Sequence, residues 1–188
     1  VHDRAWAIAI STSAAVATEM ELRPAGWPFE GEVRQAISVE PDGVLLEAEI
    51  EADEPMPAAL GWHPWFDRIG TDPRVTVAAG EVLAVRGMIP TGERLRVAGR
   101  TDLRAGPRLG RRRLDHAYPD VRSPAIVTWP DLELRLEFEP PLTTVVVHTP
   151  ARAFCVEPQT AWPNALAQAP DRASAEGDTR LDAGQKLL

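Results

Sequence analysis

Polar and apolar residues alternate along much of this 188-residue chain, and that period of two is what most restricts its fold. Leu132, Leu134, Leu136 and Phe138 interleave with Glu133, Arg135, Glu137 and Glu139. Successive side chains point to opposite sides in an extended strand, so such a segment has one apolar and one wet face. Residues 16–23 repeat the pattern, as do 35–39 and 46–51. Between the last two lies Pro41-Asp42-Gly43, a strong turn sequence, and the pair reads as a hairpin with one face in water. Residues 6–11, 75–77, 82–85, 125–129 and 143–148 add short apolar runs, with 75–77 and 82–85 joined through Gly80. No segment carries a sustained 3.6-residue stripe, and helical tendency is confined to residues 164–169 and the region near Ala173. Many short strands at close spacing predict an all-β chain, an antiparallel β-sandwich. Without a fixed-period repeat or a linker, residues 1–188 are expected to form a single domain.

Charge narrows the partners. Twenty basic residues stand against 28 acidic ones, a net charge of −8, which argues against a general nucleic-acid or anionic-membrane binder. Lys186 is the only lysine among the basic residues, a sign of compositional bias. The exception to the acidic balance is residues 94–113, with eight arginines and one aspartate, net +7. That run reads as a solvated loop, with phosphate binding as the alternative. The lone Cys155 cannot form an internal disulfide and reads as a small core residue. No apolar run approaches the ~20 residues of a membrane span, and no signal peptide opens the chain. A cytoplasmic location with no membrane partner is expected. Val1 stands only a few residues before a strand-like run, so a segment upstream of it is expected.

Two stretches carry the chemistry. In residues 151–165, ARAFCVEPQTAWPNA, Glu157 ends an apolar run and is followed by Pro158, Gln159, Thr160 and Trp162. A carboxylate leaving a buried strand where the chain turns is held rigidly and partly desolvated, which makes it a usable general base. In residues 61–66, GWHPWF, His63 is set among tryptophans, proline and phenylalanine. His2, His63, His116 and His148 are far apart and have no partner at i+2 or i+4, so spacing predicts no metal site. Neither an activated Ser or Cys in an elbow motif nor a glycine-rich phosphate cradle is present. What remains is an imidazole and a carboxylate at different strand ends with tryptophans near both. That set suits acid–base chemistry on a sugar, where aromatic faces cover the apolar side of a pyranose and charged or amide groups take its hydroxyls.

An ordered series of short motifs runs through the chain: Trp6, Pro28-Phe29, Met56-Pro57, residues 61–66, Ile89-Pro90-Thr91-Gly92, Thr101-Asp102-Leu103-Arg104, Leu114-Asp115-His116-Ala117-Tyr118, His148-Thr149-Pro150 and residues 155–160. In order and spacing the chain resembles the aldose 1-epimerases (galactose mutarotases) and the mutarotase-like proteins around them. The resemblance implies a galactose mutarotase-like β-supersandwich. It implies Glu157 as catalytic base, His63 as general acid and Asp115 as a ligand for sugar hydroxyls, with Trp65 and Gln159 among the substrate-binding residues. It implies interconversion of the α and β anomers of a galactose- or glucose-like aldohexose, with no cofactor or metal. An adjacent imidazolium is expected to lower the Glu157 pKa. Trp65 stands where the family often has tyrosine, and Asn164 where aspartate is frequent. The family's upstream Asn-Arg pair and His-Gly motif have no counterpart in this sequence, so the expectation is the C-terminal two-thirds of the fold with the N-terminal strands missing. The alternatives are a hexose-6-phosphate 1-epimerase-like enzyme, whose phosphate the 94–113 arginines would clamp, and a non-catalytic carbohydrate-binding module.

Overall fold

The computed structural model describes residues 4–68, 72–165 and 180–188. The helical tendency at 166–169 and near Ala173 lies outside them. The chain divides into two compact units, Val1–Leu60 with Thr179–Leu188, and Gly61–Asp178.

The first unit is built on strands β1 (Ala7–Ser11), β2 (Ala15–Glu21), β3 (Gly31–Glu40), β4 (Gly43–Ala52) and β5 (Met56–Pro57), with β15 (Arg180–Leu181) and β16 (Lys186–Leu187) at the end of the chain. One antiparallel sheet runs β1-β2-β3-β4-β16, and β15 pairs with β5. The hairpin expected around Pro41-Asp42 is present and longer than its alternation indicated, pairing Gly31 with Ala52 through to Glu40 with Gly43. Its apolar face is covered only at one end. Met20, Val33 and Ile50 are buried in a core with Leu22, Ala52 and Met56, whereas Leu46, on the same strand face as Ile50, is exposed.

The second unit contains β6 (Trp65–Asp67), β7 (Arg74–Thr76), β8 (Glu81–Arg86), β9 (Ile89–Arg96), β10 (Asp115–Tyr118), β11 (Ala125–Thr128), β12 (Glu133–Leu136), β13 (Thr144–His148) and β14 (Ala153–Gln159). Two antiparallel sheets, β10-β13-β14-β6 and β12-β11-β7, and a β8-β9 hairpin result. Val75, Ala125 and Val127 from the three-stranded sheet share one core with Val145, Val147, Phe154 and Val156 from the four-stranded sheet. Phe66, Trp129 and Phe154 contact one another edge-on or tilted in that layer. This is a sandwich: the inner faces bury alternate residues of each strand, which leaves the intervening residues on the outer face.

The short strands expected at 75–77 and 82–85 are present as β7 and β8, β7 pairing with β11 and β8 with β9. Two local expectations are corrected. Residues 94–96 end β9 and so are strand, not loop. The remainder of the 94–113 stretch is organised by its own arginines. Arg104 forks onto the Asp102 carboxylate at 2.9 and 2.7 Å, and these bonds hold that carboxyl down to about 2. Arg112 donates to the carbonyls of Arg100 at 2.8 Å and Arg108 at 3.2 Å. Finally, β14 does not stop at Glu157 but continues through Pro158 to Gln159. Among the described residues, no helix is long and apolar enough to cross a membrane.

Candidate active site

The four-stranded sheet of the second unit sets the site by register. Asp115 on β10 pairs with His148 on β13, His148 with Cys155 on β14, and Cys155 with Trp65 on β6. Residues directly opposite each other share a face, so these four form one row across the outer face. The next row is Ala117, Val146 and Glu157. The strand-like pairing of β14 with β6 breaks at Pro64, which has no N–H to give, but Gly61 bridges Gln159 in the register that joins Trp65 to Cys155. Carried through residues 62–64, that register puts His63 opposite Glu157. A hydrogen bond from the Trp62 N–H to the Pro158 carbonyl at 3.1 Å fixes the crossing.

Side-chain contacts follow from this placement. His63 Nε2 lies 3.3 Å from Glu157 Oε1. The Trp65 ring stacks on the His63 ring at 5.4 Å. The Gln159 amide donates to Glu157 Oε2 at 3.0 Å. Glu157 is buried while the side chain of His63 is 57% exposed, so the pair joins an interior carboxylate to an imidazole open to solvent. All five residues expected from the sequence, Glu157, His63, Asp115, Trp65 and Gln159, therefore stand on one sheet face. His116, next to Asp115, falls on the inner face, where burial and then the nearby Arg100 charge push its imidazole below the usual range.

Burial raises the Glu157 carboxyl above its usual range, against the opposing pull of the His63 and His148 imidazoles and of hydrogen bonds from Cys155 and Gln159. The sequence-based expectation of a lowered value is corrected. Its single opposite charge is outweighed by desolvation, because the neighbours of Glu157 in the sheet are Val146 and Cys155, both buried, and Leu83 and Ala117 complete a small apolar cluster around Val146.

Two residues escaped the reading of the sequence. Cys155 precedes Glu157 by two positions on β14, so strand periodicity alone puts it on the same face. It hydrogen-bonds Glu157, and burial pushes its thiol up to about 12. His148 was visible as the last residue of an apolar run, a strand-end position like that assigned to His63. Donor atoms of His63, Cys155 and Glu157 lie within 4.8 Å of one another, a trio that sequence spacing did not predict. Metal ligation needs a thiolate, which the burial of Cys155 opposes.

Comparison with known proteins decides the family. The sequence profile of the aldose 1-epimerases matches residues 1–187. The chain belongs to the aldose 1-epimerase family. Its fold is shared with a candidate aldose 1-epimerase from Escherichia coli K12 (TM-score 0.83, 18% identity), covering 97% of this chain and 65% of that one. A galactose mutarotase-like protein from Lactobacillus casei superposes with a TM-score of 0.77 at 18% identity, over 97% of this chain and 70% of that one. An aldose epimerase homologue from C. elegans does so with 0.82 at 18% identity, over 98% and 66%. The epimerase-family chain thus spans about two thirds of the length of these structures. No curated protein matches it in sequence.

Proposed function

We propose that this chain acts as an aldose 1-epimerase, interconverting the α and β anomers of a galactose- or glucose-like aldohexose by opening and reclosing the ring. The observation that carries the reading is the contact of His63 Nε2 with Glu157 Oε1 at 3.3 Å, on a face that also holds Trp65, Gln159 and Asp115. Family membership supports an isomerase acting on a sugar. The two compact units serve as one mutarotase-like domain in this reading, in a cytoplasmic setting.

The chemistry follows from a hemiacetal's needs. The Glu157 carboxylate takes the proton of the anomeric hydroxyl as the bond from C1 to the ring oxygen breaks and a C1 carbonyl forms. The His63 imidazolium gives a proton to the departing ring oxygen. Rotation about C1–C2 presents the other carbonyl face, and on closure the ring-oxygen hydroxyl returns its proton to His63 while O1 regains one. Trp65 offers an aromatic face to the pyranose, while Gln159 and Asp115 address hydroxyls. A positioned acid or base contributes roughly 10²–10⁴ in rate.

The hexose-6-phosphate alternative is less well supported. Arg104 and Arg112 are bound within their own segment, Arg108 donates to the Asp72 carbonyl at 3.2 Å, and Arg94 meets Asp120 at 2.6 Å.

The test is anomer exchange of freshly dissolved α-D-galactose and α-D-glucose, followed by polarimetry or NMR. The protein should accelerate it, and Glu157→Gln should lower kcat by about 10²–10⁴ with sugar binding retained. Wild-type rates from Glu157→Gln would remove Glu157 from the mechanism. Sugar binding with no exchange by the wild type would favour a carbohydrate-binding module.

A further inference from the structure

The outer face of the four-stranded sheet holds a second imidazole, which the mechanism above does not use. His148 ends β13 directly opposite Asp115, and its Nδ1 stands 3.4 Å from Asp115 Oδ1. That nitrogen is shut off from solvent and makes no hydrogen bond, so the Asp115 carboxylate is the charged group set against it, while the side chain as a whole is 36% exposed. The other ring nitrogen, Nε2, is therefore the one available for exchange with a ligand. Across the sheet, the His148 and Trp65 rings meet nearly perpendicular with centroids 5.9 Å apart, on either side of the small, fully buried Cys155 that separates them in the row. Glu157 is the diagonal neighbour of His148, two residues beyond its partner Cys155, a distance that long side chains span. The imidazole is close enough to act electrostatically on that carboxyl. Asp115, His148, Trp65, His63 and Glu157 thus form a ring of contacting or neighbouring side chains with Cys155 as its floor.

The position of His148 is fixed by the strand that carries it. The buried Thr149 accepts from the Leu114 N–H at 2.8 Å and donates to the Arg112 carbonyl at 2.8 Å. Its own N–H reaches the Leu114 carbonyl at 3.0 Å. These three bonds lock the start of β10 to the end of β13 and hold Asp115 beside His148. A carboxylate 3.4 Å from Nδ1 favours the form of the ring that carries a hydrogen there. The same arrangement orients an imidazole for proton transfer at its other nitrogen.

We propose that His148, oriented by Asp115, is a second catalytic imidazole of this site and serves the anomeric oxygen after the carbonyl has rotated. This rests on the epimerase reading. On opening, Glu157 takes the proton of O1 and His63 protonates the ring oxygen. Rotation about C1–C2 carries O1 away from Glu157, so reclosure needs a proton donor at its new position. The His148 imidazolium gives its proton to O1 while the ring-oxygen hydroxyl returns its own to His63. Protonated Glu157 then passes its proton to His148, directly or through water, and the site is reset with no net change in protons. In the opposite direction neutral His148 is the base that starts ring opening, as microscopic reversibility requires. The equilibrium between anomers is fixed, so losing His148 slows both directions by the same factor.

Chemical rescue tests this in the intact chain. His148→Ala is expected to lower kcat by about 10²–10⁴, and added imidazole is expected to restore part of the loss. Glu157→Gln should gain nothing from imidazole. Asp115→Asn should lower kcat in the wild-type background and cost little further in His148→Ala, because the two act as a unit. Circular dichroism establishes that the variants fold. If His148→Ala exchanges anomers within about threefold of wild type, or a folded His148→Ala is not rescued by imidazole, the role of His148 is overturned while that of Glu157 stands. For a variant that fails to fold, the wild-type His148 ring resonances decide instead: they must shift when galactose is added, and no shift overturns the role. A wild-type chain with no exchange activity overturns both readings.

Discussion

Glu157 is held between opposed influences. Burial favours its neutral form, and the Cys155 thiol, the Gln159 amide and the two imidazoles favour its charge. As a base it works only when ionised, so exchange should fall as pH drops through its raised pKa. Deleting one of the stabilising hydrogen bonds raises that pKa further. Cys155→Ala should therefore shift the acid limb of the pH–kcat profile to higher pH, and Cys155→Ser, which keeps a donor, should shift it less. An acid limb that moves to lower pH in Cys155→Ala would show that the thiol does not support the carboxylate.

At the scale of the strands, the site depends on how closely the chain crosses β14. A Cβ added at Gly61 would come within 2.8 Å of Gln159 Cγ and 3.2 Å of its Cβ. These atoms lie near the Gln159 backbone and cannot swing aside, so the crossing would have to separate. Gly61→Ala is expected to cost about 1–3 kcal/mol of stability through overpacking, read by denaturant unfolding. It should also lower kcat by weakening the Gln159–Glu157 bond and displacing His63. Unchanged stability and turnover would show that this crossing relaxes at no cost. A single register places two rows here, and a slip of β14 by one residue would turn Cys155, Glu157 and Gln159 to the core side.

For the molecule as a whole, charge distribution bears on the choice of substrate. A net charge of −8 repels an anionic ligand at long range, and several arginines of residues 94–113 are engaged with carboxylates and carbonyls. We expect kcat/KM for glucose 6-phosphate to be no higher than for glucose, measured by competition in the same NMR exchange assay. A preference of more than about tenfold for the phosphate that disappears on neutralising the arginines would reverse that expectation.

Alternation and turn residues determined that this chain is all-β, because a period of two has only one way to bury an apolar face. Residue chemistry singled out Glu157 and His63, and an ordered set of motifs pointed to the family. Tertiary structure decided the rest. Which strands pair is set by long-range burial that no local pattern encodes, as with β7, whose partner is β11 and not the β8 that follows it in the chain. The sign of the Glu157 shift depended on Val146, Leu83 and Ala117, brought around it from other strands. The meeting of Asp115 with His148, 33 positions later, follows from the register of β10 on β13 and from Thr149, which ties the two strand ends together, a hydrogen-bonding choice that a hydroxyl in the sequence leaves open.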